Sequence, residues 1–194
     1  MSDGRNVVGK EMKTPLLEKD IRSLHVGDVV FLSGVVVTAR DAAYRRMAEC
    51  IRLGKPIPVN LRDGVIYHCG PIVREIEGKM EVVSAGPTTS SRMDAFEPLI
   101  IERLGVRMII GKGGVGEATV EAMKRFGAVY AAFPGGAGVL AASKIKRVIG
   151  VEWADLGMPE ALWSVEVESF GPLIIAVDSH GRSLYARKSV SFFE

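Results

Sequence analysis

Cysteine is scarce in this chain: Cys50 and Cys69 are the only two in 194 residues. Two thiols cannot ligate an iron–sulfur cluster or a structural zinc without outside ligands. A lone disulfide is open to them, but reduced thiols are the simpler reading. An excess of either charge is also missing. Lys and Arg number 25 against 23 Asp and Glu, a formal net charge of +2, so no concentrated basic face points to nucleic acid. Long apolar runs are absent too. The most apolar stretch, Tyr130 to Ala142, is broken by Pro134, Gly135, Gly136 and Gly138, whereas a membrane helix needs roughly 20 uninterrupted apolar residues. Met1 to Lys13 is polar and lacks the apolar centre of a signal peptide. A soluble, cytoplasmic protein without membrane or nucleic-acid contacts is the expectation. Neither an internal repeat nor a low-complexity segment interrupts the chain.

What is present is enough apolar material, 47% of residues, for a real core. The length suits one domain, read here as a tail over residues 1–13 and a domain over 14–194. Thr14-Pro15-Leu16 opens a short edge strand. Asp28 to Thr38 is β-branched and nearly all apolar, which predicts a buried strand. A helix follows from about Asp41, capped by Thr38 or Asp41, and Gly54 closes it. Val65 to His68 reads as a strand, and Ile72 to Glu75 with Met80 to Val83 as a hairpin. A helix pattern runs over Ala95 to Leu104, starting late or kinked because of Pro98. Val106 to Ile110 and Ala128 to Phe133 are strands flanking a helix over Glu117 to Phe126. Val139 to Ala142 starts a short helix, and Lys146 to Trp153 is strand-like. Two strands, Trp163 to Glu168 and Leu173 to Asp178, flank Phe170-Gly171-Pro172, and a last one covers Ser183 to Ala186. Mixed strands and helices of this order predict a single α/β domain with a mixed sheet.

The densest polar chemistry lies in Ala85-Gly86-Pro87-Thr88-Thr89-Ser90-Ser91-Arg92-Met93-Asp94. Four hydroxyl residues and an arginine ahead of a helix make a site for an anion, and carboxylate fits as well as phosphate. Arg40 and Lys112 also stand at strand-to-helix junctions, where ligands gather in α/β folds. Arg40 alone would pair with Asp41 or Glu49, and Lys112 alone would sit in water. Together with Arg92 they form a convergent set that suits a dicarboxylate better than a single anion. Gly111, Gly113 and Gly116 spell G-x-G-x-x-G between a strand and a helix, which keeps a nucleotide-binding module as a distant alternative. The next strand, however, ends Ala132-Phe133-Pro134 without the acid that would hold a ribose. Lys112 is followed by Gly113 rather than by Ser or Thr, so a Walker loop fails as well. His68 beside Cys69 invites a metal reading, but a lone pair of this kind is more often structural. Asp178-Ser179-His180 does not align a nucleophile, and there is no G-x-S-x-G elbow.

The motifs Thr38-Ala39-Arg40-Asp41, His68-x-Gly70-Pro71, Gly86-Pro87-Thr88-Thr89-Ser90-x-Arg92-Met93, Gly111-Lys112-Gly113-Gly114 and Pro134-Gly135-Gly136 occur in one order. Gly157-Met158-Pro159-Glu160-Ala161-Leu162-Trp163 and Phe170-Gly171-Pro172-Leu173-Ile174 follow. In this the chain resembles the β subunit, or C-terminal domain, of class I fumarate hydratases and the related L-tartrate dehydratases. The resemblance implies a swivelling β/β/α domain and a reversible hydro-lyase that hydrates fumarate to L-malate, or alternatively dehydrates L-tartrate to oxaloacetate. It implies a four-iron–four-sulfur cluster acting as Lewis acid, carried by a partner α subunit and not ligated by this chain, in a dimer of αβ pairs. It also implies roles: Thr88 as the base that takes the carbon-bound proton, Arg40, Thr89, Arg92 and Lys112 as substrate contacts, and the opposing acid on the partner chain. Threonine is a poor base at its ordinary pKa, so cations and a dry site must favour its alkoxide.

Overall fold

Along five strands the apolar side chains alternate between two cores. The computed structural model describes residues 9–186, and its strands include β1 (Lys10–Lys13), β2 (Val29–Thr38) and β3 (Val65–Tyr67). Further along run the hairpin β4 (Ile72–Ile76) and β5 (Lys79–Ser84), then β6 (Met108–Gly111), β7 (Val129–Ala132), β8 (Ile145–Glu152) and β9 (Leu162–Val177). The helices are α1 (Glu18–Arg22), α2 (Asp41–Arg52), α3 (Glu97–Leu104), α4 (Glu117–Phe126) and α5 (Gly138–Ser143).

The main sheet closes on itself. β2, β3, β6 and β7 pair in parallel in that order, and β9 runs antiparallel to both β7 and β2. The ring β2–β3–β6–β7–β9–β2 therefore leaves no open edge within it, while β1 and β8 extend it on the outside. Successive residues of a strand face opposite sides. Val36, Val65, Tyr67, Met108, Ile110, Val129, Ala131, Val165 and Ile175 accordingly share the interior cluster. Their chain neighbours Val37, Ile66, Ile109, Tyr130 and Ala176 belong to the outer one. There α2 contributes Ala43, Tyr44 and Met47, α3 Ile100 and Ile101, and α4 Ala122 and Met123. Val73, Ala85 and Ala141 join the interior cluster from the hairpin side and from α5, closing one end of the barrel.

Parallel pairing puts the C-terminal ends of β2, β3, β6 and β7 on one rim. That rim carries the segments beginning at Ala39, His68, Lys112 and Phe133, and it is where open α/β sheets also collect ligands.

Several expected boundaries move. The tail over 1–13 does not stop short of the fold, for Lys10–Lys13 pairs with Val30–Ser33 as an edge strand. Its polar composition hid it, because an edge strand needs little apolar cover. Residues 1–8 of that tail lie outside the described residues. Thr14-Pro15-Leu16 is not a strand; Leu16 instead enters the interior cluster. The two strands expected around Phe170-Gly171-Pro172 are one strand, β9. Pairing with β2 holds it on both sides of the interruption, and positive φ at Ser169 and Gly171 (48° and 158°) absorbs the irregularity. A Cβ at position 171 would stand 2.7 Å from the Val30 carbonyl oxygen. The last expected strand reduces to a single bridge between Val177 and Ser183, since β2 takes one edge of β9 while β8 and then β7 take the other.

The barrel interior should dominate stability. Leu32→Ala, at a fully buried position, is expected to cost about 2–5 kcal/mol. Val35→Ala, on the same strand but 44% exposed, is expected to cost about 1 kcal/mol or less. Urea unfolding of both variants checks the contrast.

Candidate active site at the barrel rim

The hydroxyl-rich segment does not open a helix. It runs extended between the ends of β3 and β6 and is stitched to both. The Thr88 amide donates to the His68 carbonyl at 2.7 Å, the Lys112 amide to the Thr88 carbonyl at 3.3 Å, and the Ser90 amide to the Lys112 carbonyl at 3.0 Å. Just before it, the Tyr67 hydroxyl donates to the Ala85 carbonyl at 2.5 Å. Ser90–Arg92 then forms a short 3-10 turn, and α3 starts only at Glu97 with Pro98 in its first turn, as the proline demands. The hydroxyls therefore do not cap a helix, which corrects the expected anion site at a helix start. Thr88 is half-buried and Thr89 exposed, and Thr89 meets Lys112 through a backbone bridge.

Three cations surround this segment. Arg40 immediately precedes α2, and its Nη1 lies so close to Gly70 that a Cβ there would come within 2.8 Å. Its guanidinium stands 3.7 Å from Asp41 and 3.6 Å from Glu160. Arg92 Nε donates to Asp41 Oδ1 at 3.0 Å, and its Nη2 is 3.0 Å from Oδ2. One carboxylate thus joins Arg40 to Arg92. Lys112 opens the β6–α4 connection, and a Cβ on Gly135 would be 3.9 Å from its Nζ. The loop from Pro134 to Gly138 therefore lies beside it. The Gly138 carbonyl accepts the Ala85 amide at 3.0 Å. The structure brings Arg40, Thr88, Thr89, Arg92 and Lys112 to one rim. Two acids in the site escaped the sequence reading. Asp41 was weighed only as a partner that would neutralise Arg40, and Glu160 was visible only as part of a motif. The expected caps of α2 are also corrected. Glu160 Oε2, distant in sequence, accepts the Ala42 amide at 2.8 Å, while Thr38 Oγ1 accepts the Trp163 amide at 3.3 Å.

Beneath the rim lies a fully buried polar cluster. His68 Nε2 is 2.7 Å from the Tyr44 hydroxyl, and Nδ1 is 2.8 Å from Ser90 Oγ. Ser90 Oγ in turn meets the Tyr130 hydroxyl at 2.9 Å. The Glu97 carboxyl approaches Nε2 to 3.6 Å, and neither of its oxygens has a hydrogen-bond partner among the described residues. Burial pushes the His68 pKa down to about 3, so the imidazole is neutral. Burial, reinforced by the Asp94 charge, raises Glu97 well above the usual carboxylate range, so it too is neutral. No charge needs solvating there, which is what a buried site tolerates. With both ring nitrogens engaged, His68 is no free metal ligand.

The glycine loop holds an anion of the protein's own. Gly116 precedes α4; its amide donates to Asp94 Oδ1 at 2.8 Å and the Thr119 hydroxyl donates to the same oxygen at 2.6 Å. A nucleotide phosphate would need that helix start, and the Asp94 carboxylate already fills it. Gly111 is required for packing: a Cβ there would fall 2.0 Å from Ser90 Oγ.

The described residues do not fit an iron–sulfur cluster. Among the described residues no three His, Cys, Asp or Glu side chains gather as a metal site. Burial pushes the Cys69 thiol up to about 12, the wrong direction for a thiolate ligand. Both cysteines are free. Asp178 accepts the amides of Val26, His180 and Arg182, a structural role rather than part of a triad. No helix among the described residues is long and apolar enough to cross a membrane.

The profile of a family described as fumarase C-terminus matches residues 2–188. L(+)-tartrate dehydratase subunit beta of Escherichia coli strain K12 is 45% identical over 185 residues, covering 95% of this chain and 90% of that protein. A protein of Methanocaldococcus jannaschii named "Putative L(+)-tartrate dehydratase subunit beta" is 42% identical over 180 residues, covering 92% of each chain. A protein of Geobacillus stearothermophilus named "Putative fumarate hydratase class I" is 40% identical over 175 residues. These cover 90% of this chain and 33% of that longer one.

Two outcomes test the site as built. As pH falls, the unfolded chain binds a proton at His68 below its ordinary 6.5, and the folded chain only near 3. Stability is therefore lost as pH falls through that window, by up to about 1.4 kcal/mol per pH unit. His68→Asn should lack this component, which urea midpoints at about pH 7 and about pH 4 would reveal. Separately, NAD or ATP should leave the melting temperature unchanged, although a ligand at 100 times its Kd would add about 2.7 kcal/mol.

Proposed function

The chain belongs to the fumarase C-terminus family, and on that premise we propose that it is the β subunit of a two-subunit hydro-lyase acting on a four-carbon dicarboxylate. The reaction is the reversible hydration of fumarate to L-malate. The observation that carries this reading is that Arg40, Arg92 and Lys112 share one rim with Thr88, the two arginines joined through Asp41 and Lys112 bonded by its amide to the Thr88 carbonyl. Two opposed carboxylates need more than one cation. Arginine offers them a planar fork and lysine a point charge.

In this reading Arg40, Arg92 and Lys112 hold the carboxylates, and Thr89 lines the same edge. Thr88 Oγ1, as the alkoxide, takes the carbon-bound proton and becomes the hydroxyl. The cations lower the cost of that alkoxide, and closure against the partner removes competing water. Asp41 competes with substrate for Arg92 and keeps its guanidinium oriented while the site is empty. The hydroxyl on the neighbouring carbon leaves toward the partner, whose own acid protonates it. A four-iron–four-sulfur cluster, the Lewis acid that the family resemblance implies, would be held entirely by the partner α subunit. The assembly is a dimer of αβ pairs, and the two free thiols of this chain suit the reducing cytoplasm.

Dehydration of L-tartrate to oxaloacetate is the second reading. It is supported by relatives of about the same length that are named as L(+)-tartrate dehydratase β subunits.

The test is anaerobic reconstitution with the co-purifying α chain, assayed on fumarate, L-malate and both tartrate enantiomers. The isolated chain should be inactive and the assembled enzyme active. Arg92→Ala and Thr88→Ala should each lower the assembled rate by about 10²-fold or more. Robust turnover by the isolated chain would remove this reading, and unchanged rates in both variants would leave the chain a non-catalytic partner.

A further inference from the structure

His68 and Ser90 bond to α2, β6, β7 and the Thr88 segment, yet the chemistry assigned above uses neither. His68 follows β3, and its carbonyl accepts the Thr88 amide. Its ring meets Tyr44, which sits one helical turn after Arg40 on α2. Its other nitrogen meets Ser90, two residues after Thr88 and two before Arg92. The Ser90 amide is bonded to the Lys112 carbonyl, and its hydroxyl reaches Tyr130 on β7. Gly111, next to Lys112, leaves no room for a side chain against Ser90 Oγ. The reacting segment is thus held from two directions, by backbone bonds along its length and by a side-chain bond from below.

We propose that His68 and Ser90 are positioning residues that fix Thr88, Arg92 and Lys112 relative to one another through the Nδ1–Oγ hydrogen bond. This rests on the hydro-lyase reading above. A neutral ring has one donor and one acceptor nitrogen. With Tyr44 donating to Nε2, Nδ1–H donates to Ser90 Oγ and the serine hydroxyl donates to Tyr130. That order gives each of these atoms a partner and requires no charge. Full burial of His68 and Ser90 keeps water from substituting for either bond. A backbone turn held only by amide bonds could shift by a fraction of an ångström, and a misplacement of about 1 Å can cost about 10²-fold in rate.

The test uses three variants in the reconstituted αβ enzyme. Ser90→Ala removes the bond with little loss of volume. His68→Asn keeps a donor near the Nδ1 position, whereas His68→Gln keeps only a group near the Nε2 position. Ser90→Ala and His68→Gln are expected to lower kcat by about 10- to 100-fold, with His68→Asn clearly closer to wild type. The primary deuterium isotope effect on kcat, read with substrate labelled at the carbon that loses its proton, should rise in the two slow variants. Amide exchange over residues 88–92 in the assembled protein should accelerate in Ser90→Ala. His68→Gln against His68→Asn carries the comparison, amide exchange included, should Ser90→Ala not fold. Unchanged rates, equal losses in His68→Asn and His68→Gln, or an unchanged isotope effect would each overturn the proposal. A wild-type enzyme without hydro-lyase activity would instead remove the reaction assigned above. The exchange measurement would then decide alone whether the bond holds the segment, with unaltered exchange overturning it.

Discussion

Strand β9 closes the barrel, and that closure is the constraint from which the site follows. One edge of β9 lies along β2, while the other serves β8 and then β7. Without the pairing to β2, the parallel strands would form an open sheet with two exposed edges. With it, the ends of β2, β3, β6 and β7 are drawn around a single rim. The same closure separates the apolar residues into an interior and an outer shell. The outer shell seats α2, α3 and α4, so Arg40 at the head of α2 and Asp94 ahead of α3 are placed by packing as much as by their own turns.

The rim is a place where charge is balanced rather than merely collected. Arg40 and Arg92 share Asp41, and Arg40 also faces Glu160. Guanidinium groups left unpaired beside one another would repel and swing toward water. The two carboxylates hold them in place and remain exchangeable, because these contacts are only partly buried and therefore moderate in strength. Immediately below, the cluster of His68, Glu97, Tyr44, Ser90 and Tyr130 carries no net charge. Burial drives the histidine and the carboxyl to their neutral forms from opposite directions. A charged exchangeable layer thus lies over a neutral fixed one.

The division of labour between subunits is also legible in these atoms. Arg40, Arg92 and Lys112 stand on this rim with the hydroxyls of Thr88 and Thr89, and the proposed reaction assigns them half of its machinery. Both thiols are free, and Cys69 is buried with its proton held tightly. In the relatives the same domain occurs as a β subunit of similar length and as about a third of a longer chain. The fold is thus used both as a separate chain and as part of a larger one.

Much was decided by the sequence alone. β-Branched runs identified β2 and the parallel strands, because strands buried on both faces are apolar throughout. Pro98 left a late start or a kink open for α3, and the structure takes the late start, at Glu97. Arg40 and Lys112 at strand-to-helix junctions pointed to the rim, since junctions are where the backbone leaves a sheet with free polar groups. Other features needed the third dimension. The polar strand β1 carries almost no apolar signal, and β9 reads as two strands because Gly171-Pro172 resembles a break. Asp94 capping α4 and Glu160 capping α2 act over 22 and 118 residues of chain, and such pairings leave no local pattern. The bond between His68 and Ser90 is of this kind. Neither residue announces its partner, because a hydrogen bond is chosen by distance in space, and only the closed barrel brings these two within 2.8 Å.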